Sequence, residues 1–238
     1  CMGEWFAKIS YTGSPAVAKH VLEKASRHLT SVALELGGET GNWCIVRKDA
    51  DLRDAARKIA FFKLCNAGQI CININQIAVA EEVAKTFLDE LRRAFVRQIG
   101  EKPEQNPDYP KLITPAVYDK CVRLTEQYRD RLIFGGVGDR EALRFAPTVL
   151  YPVGMDEDIV QQELFCPLLP VVPFRDSETD ALLDVIAKRE HPLAMYVFTR
   201  DKAWARSVMT TQQYGGGGDK KGGVPMKCKG VPLTATGG

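Results

Sequence analysis

The chain has 238 residues, enough for one large domain or a domain and a half. Its 45% hydrophobic and 26% charged residues are those of an ordinary globular protein, and a net charge of +2, from 32 basic and 30 acidic residues, leaves no basic stripe for nucleic acid. No apolar run approaches the roughly 20 residues of a membrane-spanning helix, and the opening "CMGEWFAKIS" lacks the basic and apolar regions of a secretion signal.

Taken in chain order, the pattern alternates strands and helices. "FAKISYT" reads as a strand, and "SPAVAKHVLEKASRHL" as a helix with Ser14 at its N-cap and Pro15 at its first position. "VALEL" and "NWCIV" follow as strands. From Asp51 to Leu64, Leu52, Ala55, Ala56, Ile59 and Phe62 fall at helical spacing while Arg53, Asp54, Arg57 and Lys58 lie off that stripe. Asn66 and Gly68 are stop signals. Then come the strand "INQIAVA", the long amphipathic helix "EEVAKTFLDELRRAFVRQI", a loop at "PEQNPDYP", the helix "TPAVYDKCVRLTEQYRD" and strands at "RLIFGG" and "FAPTVLYPV". "LLPVVPF", the helix "SETDALLDVIAKRE", the strand "LAMYVFT" and the helix "DKAWARSVMTTQ" complete the pattern. Strands separated by helices imply βαβ units, so the expected fold is α/β, a largely parallel sheet with helices on both faces. After Gln213 glycine dominates, Gly215 to Gly218 above all, and this stretch reads as a poorly ordered tail or linker.

The seven cysteines are odd in number and irregularly spaced, which suits reduced thiols and a cytoplasmic setting better than a secreted disulfide framework. Neither their spacing nor His20, His28 and His191 makes a metal site, and no metal is expected. The sequence opens at Cys1, so it reads either as an internal piece or as a chain starting at Met2.

Four stretches could carry chemistry. Cys71 lies past a helix stop and before a strand, on a turn of small residues that exposes a side chain at the sheet edge and leaves N–H groups free to donate; alternatively it is one more buried thiol, the usual fate of free cysteine. Cys65, on the last helical turn, reads as packing. Glu35 sits within "VALELGG" between apolar neighbours and points either to solvent, by simple alternation, or into a cavity as a general base. "YTGSPAVAKH" offers a helix N-terminus with a Gly13-Ser14 entry, either an anion site or a plain turn. "QELFCPLLP" is either a rigid ligand-facing loop or an ordinary strand entry.

Together these pieces resemble the NAD(P)-dependent aldehyde dehydrogenase superfamily, nearest its shorter class 3-like members. Leu34 to Gly38 is similar to the family's glutamate signature, Gly68-Gln69-Ile70-Cys71 to its G-Q-x-C, and Glu163-Leu164-Phe165-Cys166-Pro167 to its E-x-F-G-P. "YTGSPAVAK", "FAPTVL" and "PLAMYVF" are also family-like, all in the family's chain order, over roughly residues 6–213.

The resemblance implies a remnant of the cofactor domain at residues 1–35, a catalytic domain at 36–213 and an atypical glycine-rich tail at 214–238. It implies that Cys71 attacks an aldehyde carbon to give a thiohemiacetal, that hydride loss to NAD or NADP leaves a thioester, and that Glu35 activates the hydrolytic water. Gly13 and Ser14 would face the cofactor pyrophosphate, Leu36 and Gly37 would lie against the cofactor, Glu163 would hold a ribose and Phe165 would pack near the nicotinamide. The expected partner is a small aldehyde, with no nucleic acid, no membrane segment and a homodimer for the full-length enzyme.

Departures accompany the resemblance. The family's N-terminal portion, with its first cofactor-binding strands and the asparagine that completes the oxyanion hole, has no counterpart here. Glu39 stands where lysine is usual, "CININ" replaces a small-residue segment, and Ala18 and Cys166 stand where glycine is common; a side chain at Cys166 strains the loop if that position needs positive φ. The expectation is a partial copy with little activity of its own. Two other readings stay open: an inactive fragment serving as an interaction module, and an acylating dehydrogenase that passes its thioester to coenzyme A, a branch that generally lacks the glutamate seen at Glu35.

Overall fold

The computed structural model describes residues 4–37, 40–189, 191–214, 216–218 and 226–228. Gly38, Glu39 and the rest of the glycine-rich stretch lie outside the described residues.

Two separate sheets and a small hairpin organise the described residues. The first pairs β1 (Lys8–Gly13) with β2 (Ser31–Leu36) in parallel, joined by α1 (Pro15–Ser26). Ser14 caps α1 by accepting from the Val17 N–H at 3.5 Å, and Pro15 occupies its first turn, as the sequence predicts.

The second sheet has eight strands. In chain order they are β3 (Asn42–Val46), β4 (Ile74–Ala80), β5 (Leu132–Phe134), β8 (Thr148–Leu150), β9 (Leu168–Phe174), β10 (Ala194–Phe198), β11 (Gly216–Gly218) and β12 (Met226–Cys228); β6 (Gly138–Asp139) and β7 (Arg144–Phe145) form a small hairpin apart from it. The spatial order is β12-β11-β10-β3-β4-β9-β8-β5. All pairs are parallel except the two outermost, β11–β12 and β5–β8.

The helices α2 (Leu52–Leu64), α3 (Ala84–Ile99), α4 (Pro115–Gln127), α5 (Thr179–Ala187) and α6 (Lys202–Thr211) cover this sheet. Because successive side chains on a strand point to opposite faces, one strand feeds two cores. Trp43, Ile45, Ala78, Val172 and Val197 join the core that contains residues of α4, α5 and α6. Cys44, Val46, Ile77, Val171 and Tyr196 join the core that contains residues of α2 and α3. Each fully buried aliphatic or aromatic side chain contributes about 1.5–3 kcal/mol, which is why the central strands read as near-continuous apolar runs.

Arg47 at the end of β3 clamps the sheet to the turn before α5. It donates to both carboxylate oxygens of Asp176, at 3.1 and 2.8 Å, while the Lys48 N–H adds a third bond at 3.2 Å and the Arg47 guanidinium stacks over Trp204.

Three details differ from the sequence reading. The stretch expected to be a tail contributes β11 and β12, the first paired in parallel along β10. The hairpin of β6 and β7 has no counterpart in the sequence reading beyond Phe145, which opens the expected strand "FAPTVLYPV", because strands of two residues are too short to show alternation. "FAPTVLYPV" is two short pieces, interrupted at Ala146-Pro147 where proline offers no N–H to a ladder.

Candidate active site

The turn before Cys71 is built from residues in the left-handed region. Helix α2 ends at Leu64, and φ is then +48° at Asn66, +51° at Ala67 and +78° at Gly68. Ala67 adopts this conformation at a cost of about 1–2 kcal/mol and is held there by complete burial. Gly68 is the position that admits no side chain, since a Cβ there would run into the Cys166 carbonyl. The glycine of G-Q-x-C is thus where the turn lies against the Glu163–Cys166 loop. Gln69 fixes the other side: its Oε1 accepts from the Ile113 N–H at 2.8 Å, and its Nε2 donates to the carbonyls of Asn66 at 2.9 Å and Lys111 at 3.1 Å.

Cys71 emerges from this turn partly buried. Burial pushes its thiol above the ordinary value. The Ile72 N–H bonds to the sulfur and opposes that shift, the charge of Glu35 adds to it, the N–H of Cys71 itself opposes it, and the charge of Glu163 adds to it. The sulfur therefore lies within electrostatic reach of both carboxylates, one from β2 and one from the loop before β9. Cys65 caps the end of α2, partly buried, with its thiol also pushed up by burial.

The two-stranded sheet brings the other candidates together by register. Gly13 pairs with Leu36 and Thr12 with Glu35, so Gly13, Ser14, Leu36 and Gly37 collect at the C-terminal ends of two parallel strands, beside the N-terminus of α1. Gly37 packs against Glu163: a Cβ there would lie 2.5 Å from Glu163 Oε1 and 2.8 Å from Oε2. Burial pushes the Glu163 carboxyl up, with the Lys120 charge opposing. Lys120 Nζ also donates to the main-chain carbonyls of Glu163, at 3.4 Å, and Leu164, at 3.2 Å.

The expected strain at Cys166 is corrected. Cys166 is not among the residues with positive φ; Phe165 is, at +50°, with its ring 41% exposed. The backbone takes its left-handed step one residue earlier and turns the aromatic ring outward, while Cys166 is wholly buried.

Sequence reasoning assigned no part to several residues that hold the site. Asn42 of β3, buried, donates from Nδ2 to the Cys71 carbonyl at 2.7 Å and the Asn73 carbonyl at 2.8 Å, and its Oδ1 accepts from the Ala194 N–H of β10 at 2.8 Å. Tyr196 donates to the Ile72 carbonyl at 2.6 Å. Asn75 of β4 bridges both loops, donating to the Thr40 carbonyl at 3.1 Å and the Gln162 carbonyl at 3.0 Å while accepting from the Leu164 N–H at 2.8 Å. The available signal was a polar side chain inside strands buried on both faces, which needs partners there.

Among the described residues no group of three or more His, Cys, Asp or Glu side chains could hold a metal. A groove of about 490 Å³ between α2 and α3, lined by Arg53, Arg57, Arg93 and Arg97 among others, includes none of the site residues.

The α/β sheet presents a thiol at a strand-end turn, within electrostatic reach of carboxylates from two other segments and beside the glycine-lined ends of two parallel strands. The chain belongs to the Aldehyde dehydrogenase family, whose sequence profile matches residues 2–218. It is 34% identical over 212 residues to aldehyde dehydrogenase family 3 member H1 of Arabidopsis thaliana, covering 88% of this chain and 43% of that protein. It is 34% identical over 213 residues to the dimeric NADP-preferring aldehyde dehydrogenase of Canis lupus familiaris, covering 90% and 46%. The substrate-bound AldH structure of Staphylococcus aureus superposes with a TM-score of 0.87 at 30% identity, over 92% of this chain and 47% of that one. The chain spans about half the length of the relatives it matches.

Proposed function

We propose that this chain carries the catalytic part of an NAD(P)-dependent aldehyde dehydrogenase, with Cys71 as nucleophile and Glu35 as the base for hydrolysis. The observation behind this reading is that the Cys71 sulfur lies within electrostatic reach of Glu35 and Glu163, while Gly37, just past the Glu35 strand, packs on the Glu163 carboxylate.

Cys71 attacks the carbonyl carbon of an aldehyde; burial disfavours its thiolate, and the N–H groups of Ile72 and Cys71 that reach the sulfur offset part of that cost. The negative charge that develops on the carbonyl oxygen needs preorganised donors, each worth about 10²–10³ in rate, and the fixed turn offers main-chain N–H groups for this. Asn42, Gln69 and Tyr196 hold that turn against β3, β10 and residues 111–113, so the nucleophile is placed before substrate arrives. Glu35 takes the proton of the water that cleaves the resulting thioester.

The residues fit the cofactor. Gly13 and Ser14 would face its pyrophosphate at the start of α1, where the unpaired N–H groups of a helix N-terminus favour an anion. Gly37, which leaves no room for a side chain beside Glu163, and Leu36 would line its path, with Glu163 on a ribose and Phe165 beside the nicotinamide. The bound NAD or NADP would supply the hydride acceptor. The canine relative's name supports NADP as well as a dimeric assembly, and we take both NAD and NADP as candidate cofactors and a homodimer as the assembly of the full-length enzyme. The separation of the β1–β2 sheet from the eight-stranded one supports a cofactor-domain remnant followed by a catalytic domain. Cys44, Cys65, Cys71, Cys121 and Cys166 are free thiols, in keeping with a reducing, cytoplasmic setting.

The test is acyl-enzyme trapping. Incubation with an aldehyde and NAD or NADP should place an acyl group on Cys71, detected by mass spectrometry, and Glu35→Gln should accumulate it. Acylation elsewhere, or a thioester that Glu35→Gln hydrolyses at the parent rate, removes these residues from the mechanism.

A further inference from the structure

The end of α2 carries a buried lysine that the proposed chemistry leaves unused. A lysine on the last turn of a helix ordinarily reaches solvent, where its charge suits the helix C-terminus. Lys63 is turned inward instead, 1% exposed, and its Nζ donates to the Cys166 carbonyl at 3.3 Å. Burial lowers this amine to about 8, so at neutral pH it is still mostly charged. Lys58 of the same helix pairs with the Asp54 carboxylate at 2.9 Å, whereas Lys63 directs its charge at a neutral carbonyl. A buried ammonium is costly, and an apolar side chain of similar length would fill the space without that cost.

The carbonyl it holds is the point where two loops touch. A Cβ on Gly68 would run into the Cys166 oxygen and lie 3.3 Å from Lys63 Cδ, so the nucleophile turn, the lysine stem and the Glu163–Cys166 loop close on one spot. The same helix end is tied to the far side of Cys71, because the Phe62 carbonyl accepts from Asn73 Nδ2 at 2.7 Å. Other backbone groups of the loop are held from elsewhere. Lys120 donates to the Glu163 and Leu164 carbonyls, Asn75 accepts from the Leu164 N–H, and the Thr148 N–H donates to the Pro167 carbonyl. Those bonds fix the loop to α4, β4 and β8. The Lys63 bond fixes it to the helix from which the nucleophile turn emerges.

Resting on the reading that Glu163 holds a ribose and Phe165 lies beside the nicotinamide, we propose that Lys63 is a positioning residue for the cofactor. Its ammonium locks the Glu163–Cys166 loop to the nucleophile turn through the Cys166 carbonyl. Lys63 touches neither substrate nor dinucleotide; it acts through the backbone. Hydride transfer needs the nicotinamide held in line with the carbon bound to Cys71, and a misplacement of about 1 Å can cost about 10²-fold in rate. A loop left free at Cys166 would let the Phe165 ring and the Glu163 carboxylate drift relative to the sulfur.

The full chain and its Lys63→Met, Lys63→Gln and Asp176→Asn variants are compared in two ways. Amide exchange over residues 162–168 should quicken about tenfold in Lys63→Met, as expected for the loss of one charge-assisted bond. It should quicken less in Lys63→Gln, which keeps a neutral donor. Asp176→Asn breaks the clamp at the other end of β9, controls for a general loss of stability, and should leave this segment near the parent rate. The second comparison is protection of Cys71 from alkylation by NAD or NADP. The dinucleotide concentration for half protection should rise several-fold in Lys63→Met. Alkylation without dinucleotide should stay at the parent rate, because Asn42, Gln69 and Tyr196 still hold the turn. In turnover, the KM for dinucleotide should rise by a similar factor while that for aldehyde is unchanged. Exchange and protection in Lys63→Met that match the parent or Asp176→Asn overturn the assignment and leave the dehydrogenase reading intact. If Lys63→Met does not fold, Lys63→Gln decides by the same readouts. A parent chain whose Cys71 no dinucleotide protects overturns the cofactor reading, and with it this role for Lys63.

Discussion

Asn42→Ala is expected to lower stability by about 3 kcal/mol and to loosen Cys71 together with it. The side chain serves three main-chain groups: the carbonyls of Cys71 and Asn73, at 2.7 and 2.8 Å, and the Ala194 N–H, at 2.8 Å. A buried polar group left without its partner costs about 1–3 kcal/mol, so three orphans set a ceiling of about 9 kcal/mol. The Cys71 carbonyl is only partly buried, and water reaches it once the amide is gone; the Asn73 carbonyl and the Ala194 N–H sit deeper. Two orphaned groups at midrange give about 3–4 kcal/mol, near the top of what one substitution does. In urea unfolding this appears as a midpoint lowered by about 1–2 M at unchanged slope, taking a slope of about 2 kcal/mol/M. Asn42→Asp should cost at least as much, because it keeps the acceptor for Ala194 but sets a carboxylate against two carbonyl oxygens. A midpoint shift for Asn42→Ala below about 0.3 M, with Cys71 alkylated at the parent rate, would refute the view that this residue places the nucleophile.

Other expectations follow from the same geometry. Gly68→Ala brings a Cβ onto the Cys166 carbonyl at a φ of +78° and should destabilise by more than the about 1–2 kcal/mol of the left-handed conformation alone, measured by urea unfolding; a loss below about 1 kcal/mol contradicts the close approach. Burial pushes the Asp176 carboxyl up, but the hydrogen bonds and charges of Arg47 and Lys48 outweigh it, so its folded value lies below that of the unfolded chain. Its stabilisation is therefore complete above about pH 4 and is lost as pH falls through the folded value. Asp176→Asn should cost about 1.5–3 kcal/mol at neutral pH, and the gap to the parent should narrow progressively as pH is lowered below about 4; a gap that does not change with pH removes the charge from the account.

Much of the fold was legible because its cause is local. Helix α2 carries a single apolar stripe and starts on the Asp51 cap, and β4 begins and ends where its apolar run does. The candidate site residues stood out one at a time, Cys71 by its turn and Glu35 by its place in an apolar strand, because each breaks a local pattern. What joins them was not. The pairing of Gly13 with Leu36 is a matter of strand register, and the contact of Gly37 with Glu163 joins segments far apart in the chain. Asn42 and Asn75 look like ordinary polar residues until their strands are seen to be buried on both faces. The strained position of the Glu163 loop was misplaced by one residue for a related reason: residue type marks where glycine would be welcome, but the loop's closure onto Asn75 and Lys120 decides where the left-handed step falls. The edge strand β11 had no signal, since glycine carries no side chain to alternate, and β12 is too short, at Met226–Cys228, to show a period.

The most direct measurement is the pH dependence of Cys71 alkylation in the parent chain, Glu35→Gln and Glu163→Gln, followed by peptide mapping. The parent midpoint should lie above the ordinary thiol value of about 8.5, because burial and two carboxylates disfavour the thiolate. Removing either charge should move the midpoint down and speed alkylation at neutral pH, with Glu35→Gln moving it further than Glu163→Gln. Midpoints that coincide in all three proteins would mean that the sulfur and the two carboxylates do not share a site.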